Sequence, residues 1–164
     1  MTEEPKHKFQ DQAPLTYKQL FDRMFTNFVS FLRELESTLG SDKLHDILRT
    51  WSERRGVEMA GDRKITSFKE FKDFWKESSA GEYFSHVTSV EFPHETNTEF
   101  HCTYSECLYA KTFRDLDAAE LGYIMVCHPD FNFAESLSPN LSLERTRTLM
   151  QGHDCCDHKF VWRE

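Results

Sequence analysis

The stretch LSLERTRTLM, residues 141–150, alternates its side chains with a period of two. This period is typical of a β-strand, because successive side chains of a strand point to opposite faces of the sheet. Arg145 and Arg147 therefore share a face with the leucines at the odd-numbered positions. Gly152 allows a turn after the stretch, and residues 156–162 are predicted to return as an antiparallel partner strand.

Two more strands are predicted earlier in the chain. Residues 87–92 and 98–104 are rich in Val, Thr, Phe and Tyr, which favour strands. The residues between them, 93–97, begin with proline and suit a turn. These segments predict a hairpin, which brings the expected antiparallel sheet to about four strands.

The first half of the chain has a helical period instead. From residue 15 to a helix end at Gly40, apolar residues recur at three- and four-residue steps and are expected to form one stripe. A second helix is predicted to begin at Ser41 or Asp42 and to end at Gly56, and a third covers residues 67–75. The members of the first stripe are Tyr17, Leu20, Phe21, Met24, Phe28, Phe31, Leu32, Leu35 and Leu39.

Two further helices are predicted after the hairpin, over residues 106–114 and 117–126, with Asp117 as N-cap and Pro129 as the stop. The fold class is therefore α+β, with N-terminal helices packed on an antiparallel sheet of about four strands. Because a chain of 164 residues suits one domain, residues 15–164 are expected to form a single α+β domain. The polar residues 1–14 are expected to be a flexible tail.

The charge composition limits the classes of partner. The chain has 20 lysines and arginines against 28 aspartates and glutamates, a formal net charge of −8. Nucleic-acid-binding proteins concentrate basic residues, so no nucleic-acid partner is expected. No apolar run approaches the roughly 20 residues of a membrane span, so no membrane partner is expected either. The N-terminal sequence lacks the apolar core of a signal peptide, which favours a cytoplasmic protein.

Five cysteines lie at positions 102, 107, 127, 155 and 156. In a reducing compartment they are expected to be buried apolar residues, a nucleophile or metal ligands, and these alternatives stay open. Cys107 lies at the start of a predicted helix, where the partial positive charge of the backbone would favour a thiolate. Alternatively, Cys107, Cys127 and Cys156 with Asp130 offer three thiolates and one carboxylate, a set that zinc accepts.

Arg145 also has two open interpretations. An arginine beside leucines on a sheet face either pairs with a carboxylate of the protein or presents its planar guanidinium to the carboxylate of a ligand. Neither a glycine-rich phosphate loop nor an H-E-x-x-H motif is present in the sequence.

Several short motifs in the second half carry a family resemblance. They are Cys-Leu-Tyr-Ala at 107–110, Leu-Gly at 121–122, Cys-His-Pro-Asp-Phe at 127–131, the run from Pro139 to Gly152, and Cys-Asp at 156–157 before Phe160. Over about residues 85–162 this pattern resembles the L-2-amino-thiazoline-4-carboxylic acid hydrolase family, with Arg-Thr-x-Thr-Leu-Met-x-Gly at 145–152 as its most specific piece. A looser, fold-level likeness is to vinyl-reductase-type small-molecule-binding domains, some of which carry a cysteine-rich zinc site.

The resemblance implies a hydrolase that opens a small cyclic amidine or thiazoline carboxylic acid by adding water or a thiolate at the amidine carbon. Such a step needs a nucleophile, an acid and a cation for the substrate carboxylate. The implied catalytic residues are Cys107 or Cys127 as nucleophile, Asp130 as acid, base or amidine anchor, and Cys156 as a pocket thiol. The implied substrate-binding residues are Arg145 as carboxylate clamp, with Thr146, Thr148 and His153.

The alternative implied by the same motifs is a non-catalytic sensor domain that binds a small molecule. In that case Cys107, Cys127, Asp130 and Cys156 would hold a structural zinc ion, the one cofactor that the sequence suggests. The expected partner is a small-molecule substrate or ligand, and the long aromatic-rich helices favour a homodimer.

Overall fold

A computed structural model of the protein describes residues 15–163. The chain forms helices first, then a β-hairpin, more helices and two last strands. In order, the elements are α1 (Tyr17–Leu39), α2 (Ser41–Ala60), α3 (Phe68–Ala80), α4 (Glu82–Val87), β1 (Thr88–Glu95), β2 (Glu99–Cys107), α5 (Leu108–Asp115), α6 (Ala119–Gly122), a π-helical turn (Tyr123–Cys127), α7 (Pro129–Leu137), β3 (Leu141–Glu144), a 3₁₀ turn (Leu149–Gln151) and β4 (Cys156–Trp162). The predicted α+β class is confirmed.

Local sequence signals fix the ends of the first helix. The hydroxyl of Thr16 accepts a hydrogen bond from the backbone N–H of Gln19, whose side chain in turn accepts one from the Thr16 N–H. This reciprocal arrangement satisfies N–H groups that have no partner within the helix. Gly40 ends the helix at φ 85°, a conformation that favours glycine, and α2 begins at the next residue.

The predicted apolar stripe of α1 is only partly buried, since four of its residues are exposed. The buried residues of α1 are Phe21, Val29 and Leu32. Leu20, Met24, Phe28 and Phe31 are exposed on the described surface. The apolar residues of α1 cover more than one face, and α2 and α5 cover only part of the helix. Sequence periodicity shows which apolar residues can share a helix face, but it does not show which of them another helix or strand covers.

The second helix does not end at Gly56, as predicted, but continues to Ala60. Glycine at position 56 serves close packing instead. A Cβ atom there would lie 2.4 Å from the carbonyl oxygen of Pro129 and 2.9 Å from the backbone nitrogen of Phe133. The missing side chain therefore lets α2 and α7 pack backbone against backbone.

The four strands form one antiparallel sheet, as the sequence predicts, and their order in the sheet is β1-β2-β4-β3. β2 pairs with β1 on one side and with β4 on the other, and β3 forms the second edge. β3 is shorter than predicted, because the backbone N–H groups of Thr146 and Arg147 donate to Asp157 Oδ1 at 2.9 and 2.6 Å. The chain leaves the sheet there, so Arg145 and Arg147 do not continue a strand.

The helical segment after the hairpin also differs from its prediction. Asp117, predicted as N-cap, lies at φ 52°, and Ala118 precedes α6. Pro129, predicted to stop a helix, instead occupies the first position of α7, where its missing N–H costs no helical hydrogen bond. Neither α7 nor the short helix α4 was predicted.

Two apolar cores result from this arrangement. In the first, α3 and α7 pack on the sheet around Phe71, Phe100 and Phe160. In the second, α1, α2, α5 and the α6 region pack around Phe113 and Ile124.

The single-domain prediction stays a prediction, and the expected tail at 1–14 lies outside the described residues. None of the helices within residues 15–163 is long and apolar enough to cross a membrane.

Candidate functional site

A buried ion pair joins α7 to the segment that follows β3. The guanidinium of Arg145 donates from Nη1 to Asp130 Oδ2 at 2.8 Å and from Nη2 to the carbonyl oxygen of Cys127 at 2.7 Å. It also lies over the ring of Phe131, 4.8 Å from the ring centroid. The Arg145 side chain is only 2% exposed, whereas that of Asp130 is 23% exposed. The structure therefore agrees with the first interpretation of Arg145, in which the arginine pairs with a carboxylate of the protein.

His158 on β4 completes this arrangement. Its Nε2 lies 3.0 Å from Nη1 of Arg145. Burial, reinforced by the Arg145 charge, lowers the pKa of His158 to about 3, so the imidazole is neutral at pH 7. Since Arg145 can only donate, Nε2 must accept and Nδ1 must carry the proton. Both Nδ1 of His158 and Nε of Arg145 are buried without a hydrogen-bond partner among the described residues.

Asp130 has opposing influences on its charge. Burial raises the pKa of its carboxyl group above the ordinary value, while the charge and the hydrogen bond of Arg145 act to lower it. Burial also opposes the charge of Arg145, but Asp130 and Cys127 bring the pKa of the guanidinium above its usual value. The pair therefore contains a carboxyl group that accepts a proton more readily than an exposed aspartate.

The thiols of Cys127 and Cys156 lie close enough to Asp130 and to each other for mutual electrostatic effects. Burial raises the pKa of Cys127 far above its usual range, and the negative charge of Asp130 raises it further. Burial raises the pKa of Cys156 to about 11, although the N–H of Leu149 donates to its Sγ at 3.2 Å. Both are therefore protonated thiols at neutral pH.

Cys107 occupies the predicted place at the start of a helix, as the N-cap of α5. The side chain of Cys107 makes no capping hydrogen bond, but the nearby backbone N–H groups of Ala110 and Tyr109 act to lower its pKa. Burial is the larger effect, and the pKa of Cys107 is raised overall. Cys107 also contributes to the electrostatic environment of Cys127 and Cys156. The fold thus brings together three cysteines and Asp130, which are far apart in sequence.

An open cleft of about 920 Å³ reaches this group of residues from one side. Its walls come from the start of α1, the α4–β1 junction, the end of β2 and α5, and they include Cys107. Three cations line it, Lys18, Lys111 and Arg114. Lys18 and Lys111 both contact Asp115, and Arg114 donates to the Leu149 carbonyl oxygen at 3.4 Å. Cys127, Cys156 and Asp130 do not line the cleft, so Cys107 lies between the cleft and the buried group.

The other predicted substrate-binding residues lie in the turns after β3. Thr146 is exposed, and its hydroxyl donates to Asp157 Oδ2 at 2.6 Å. Thr148 is 1% exposed, and its hydroxyl accepts from the Gln151 N–H at 3.1 Å. His153 is exposed. The hydroxyls of Thr146 and Thr148 therefore form hydrogen bonds that stabilise the path of the chain.

The predicted zinc ligands do not form a closed metal site as the side chains stand. Tetrahedral zinc with thiolate ligands requires ligand atoms about 4 Å apart. Within residues 15–163, the only group of three or more His, Cys, Asp or Glu ligand atoms that all lie within 4.8 Å of one another is His94, Glu99 and His101, which contains no cysteine. All five cysteines are free thiols. The distances therefore give the zinc alternative no support.

Two residues that the sequence analysis did not single out belong to the surroundings of the ion pair. His158 binds Arg145, and the ring of Tyr104 lies 4.9 Å from that of His158. Tyr104 also accepts a hydrogen bond from Trp75 Nε1 at 3.1 Å, and burial raises its pKa. The alternation of residues 156–162 does place His158 on the same face as Cys156 and Phe160, which was the available signal.

A family model described as L-2-amino-thiazoline-4-carboxylic acid hydrolase matches residues 17–160. This chain belongs to that family. The match extends through the helical first half, beyond the region of about residues 85–162 on which the sequence resemblance depended. The sequence has no match among curated proteins.

Solved structures similar to this member of the L-2-amino-thiazoline-4-carboxylic acid hydrolase family are distant. A trafficking protein particle complex subunit 3 from Naegleria fowleri, covalently bound to palmitic acid, is 12% identical with a TM-score of 0.49, covering 88% of this chain and 96% of its own. The phenol-responsive sensory domain of the transcription activator PoxR, with phenol, is 12% identical with a TM-score of 0.47, covering 93% and 77%. An Fe(II) unliganded H-NOX protein from K. algicida is 11% identical with a TM-score of 0.43, covering 85% and 74%. At these values the likenesses carry no argument about function.

Proposed function

We propose that the protein hydrolyses a small cyclic amidine acid of the 2-amino-thiazoline-4-carboxylate type, which it binds in the cleft beside Cys107. The observation that carries the proposal is the position of the Cys107 sulfur. It belongs to a wall residue of the cleft, it lies near the backbone N–H groups at the start of α5, and it is close enough to the buried thiols to affect their pKa values. Family membership supplies the class of substrate.

The proposed reaction adds water at the carbon between the ring nitrogen and the ring sulfur. The carbon–sulfur bond breaks, the sulfur takes a proton, and the carbon becomes the carbonyl of a urea, so that the product is N-carbamoyl-cysteine. A thiol nucleophile would first bond to this carbon and then be displaced by water. Cys107 is the better candidate than Cys127, because the cleft reaches Cys107 and backbone N–H groups favour its thiolate.

Asp130 is proposed as the group that exchanges protons with the reacting atoms. A carboxyl group with a raised pKa is suited to this role, since it accepts a proton more readily than an ordinary aspartate. Arg145 binds only one of its oxygens, Oδ2. The Asp130 side chain is 23% exposed, but it does not line the cleft, so it lies behind Cys107 as seen from the proposed substrate position.

Two sources of positive charge are available for the substrate carboxylate. Lys18, Lys111 and Arg114 line the cleft itself. Arg145 still has one unpaired donor, Nε, although its Nη groups are engaged by Asp130 and Cys127. We assign the clamp to the cleft cations, because Nε of Arg145 is buried whereas the cleft cations are accessible. No direct substrate contact is then assigned to Thr146, Thr148 or His153. They would affect substrate binding only by stabilising the loop after β3.

The test is turnover of 2-amino-thiazoline-4-carboxylate by the purified full chain, followed as N-carbamoyl-cysteine by mass spectrometry. Cys107→Ala is expected to reduce turnover to background, and Asp130→Asn to reduce it by about 10²- to 10⁴-fold, the range for loss of a general acid or base. Cys155→Ala is the matched control and should retain wild-type turnover. Retained turnover in both Cys107→Ala and Asp130→Asn, with unchanged melting temperature, would contradict the proposal.

A second candidate function is binding of the same class of small molecule without catalysis. The specific observation that favours it is that burial raises the pKa of all three cysteines of the group, so none is a thiolate at neutral pH. Calorimetric binding of 2-amino-thiazoline-4-carboxylate by the wild-type protein, without any product, would favour this function over the hydrolase.

A further inference from the structure

A second cluster of chemically active side chains lies at the turn end of the β1–β2 hairpin. His94 on β1 lies directly opposite His101 on β2 in the antiparallel register. Glu99 is two residues before His101 on the same strand, so its side chain points to the same face. Sheet geometry therefore brings two imidazoles and one carboxylate together.

The distances within this cluster are short enough for shared ligation. Glu99 Oε2 lies 3.4 Å from Nε2 of His101 and 3.8 Å from Nε2 of His94. The ligand atoms of the three residues all lie within 4.8 Å of one another, and the two imidazole centroids are 4.7 Å apart. Nε2 of His101 is enclosed and has no hydrogen-bond partner in the described part of the chain, although its side chain is 35% exposed. This nitrogen could therefore bind a metal ion without giving up a hydrogen bond.

The other oxygen of Glu99 is held separately. Lys159 on β4 contacts Glu99 Oε1 at 2.9 Å and also contacts Glu144 Oε2 at 3.3 Å. Lys159 lies opposite His101 in the β2–β4 register and opposite Glu144 in the β3–β4 register. A row of charged and polar groups thus crosses the sheet, and it orients Oε2 of Glu99 toward the imidazoles. Such outer contacts are what fix a carboxylate ligand in metal sites.

We propose that His94, Glu99 and His101 form a binding site for a divalent cation of the zinc type, separate from the cleft and the cysteines. Two imidazole nitrogens and one carboxylate oxygen are a ligand set that zinc accepts, with water at the fourth position. Tetrahedral zinc with ligands at about 2.0–2.1 Å needs ligand atoms about 3.4 Å apart. One of the observed contacts already has this length, and the others are reached by rotation of side chains that are 36% and 48% exposed.

The experiment measures Zn²⁺ affinity of the full chain by competition with a chromophoric chelator. His94→Ala and His101→Ala are each expected to weaken binding at this site at least tenfold, because each removes a ligand. His153→Ala, which replaces another exposed histidine, is the matched control and should leave the affinity unchanged. His94 is exposed and His101 is half-buried, and the melting temperatures of both variants in the absence of metal show whether the fold is retained.

Cysteine ligation is the competing source of zinc binding, and two measurements separate it. The triple variant Cys107→Ser, Cys127→Ser and Cys156→Ser should retain the affinity of the histidine site. Co²⁺ bound by imidazole and carboxylate should lack the intense sulfur-to-metal charge-transfer absorption of a thiolate site. Unchanged affinity in both histidine variants, or zinc binding lost only in the cysteine variant, would overturn the proposal. Neither result depends on whether the protein is a hydrolase.

Discussion

Lowering the pH from 7 to 5 should destabilise the folded protein through His158. Its neutral imidazole is buried beside the Arg145 guanidinium, with Nε2 accepting a hydrogen bond from Nη1 at 3.0 Å. Protonation would remove this acceptor and place two positive charges side by side. Unfolding releases the imidazole into water, where it titrates with its ordinary pKa of about 6.5.

The size of the effect follows from the two pKa values of His158. In the folded protein its pKa is lowered to about 3, so between pH 6.5 and pH 3 the unfolded chain binds a proton that the folded chain does not. Stability from this residue is present above pH 6.5 and is lost as the pH falls. Each pH unit in this window costs about 1.4 kcal/mol, so the change from pH 7 to pH 5 costs about 2 kcal/mol. For a chain of this size that corresponds to roughly 4–8 °C in melting temperature.

The assay is thermal and urea denaturation of the wild type and of His158→Gln at pH 7 and pH 5. Glutamine places a carbonyl oxygen where Nε2 accepts from Arg145, but it does not titrate. The wild type should therefore lose about 2 kcal/mol more than His158→Gln over this range. Taking the difference between the two proteins cancels the titration of the other histidines. If the two proteins lose stability equally, the reasoning about a buried neutral His158 is refuted.

Three further predictions concern packing, the ion pair and assembly. Arg145→Met should destabilise the protein by about 3–5 kcal/mol in urea denaturation, because it leaves Asp130 buried without its partner, and adding Asp130→Asn should recover part of that loss. Gly56→Ala should lower the free energy of unfolding by about 1–3 kcal/mol in the same assay, because its Cβ would collide with the Pro129 backbone. Alanine usually stabilises a helix relative to glycine. An increase in stability would therefore contradict the packing of α2 on α7. The homodimer stays a prediction: light scattering should give twice the chain mass for the wild type and the monomer mass for Phe31→Glu, which changes a residue 58% exposed on α1. A monomeric wild type would contradict this last prediction.

The parts of the fold that were predictable depend on neighbours in sequence. The end of α1 at Gly40 and the existence of the β1–β2 hairpin follow from local conformational preferences, although β1 continues to Glu95 and the turn comes later than the predicted residues 93–97. The errors lie where a distant element decides. Gly56 resembles a helix end in sequence, but it is the place where α7 touches α2. Pro129 resembles a stop, but it begins α7 because the first turn of a helix does not need its N–H.

The candidate site was also predictable only in part from the sequence. The motifs around Cys107, Cys127, Asp130 and Arg145 identified the family and the residues worth testing. They could not show that Arg145 binds Asp130 and the Cys127 carbonyl oxygen. The sequence could not predict the cleft either, because its walls come from α1, α4, β2 and α5, which are far apart along the chain.

By itself, the sequence determined the alternation of apolar and polar residues, and with it most of the helices, the antiparallel strands and the family. These properties depend on side-chain spacing of two or of three to four residues, which a single segment contains. Only the tertiary structure decided which charges are buried together and which thiol faces a cleft. Burial and charge pairing are relations between segments, and the protonation of His158 and Asp130 follows from them rather than from residue type.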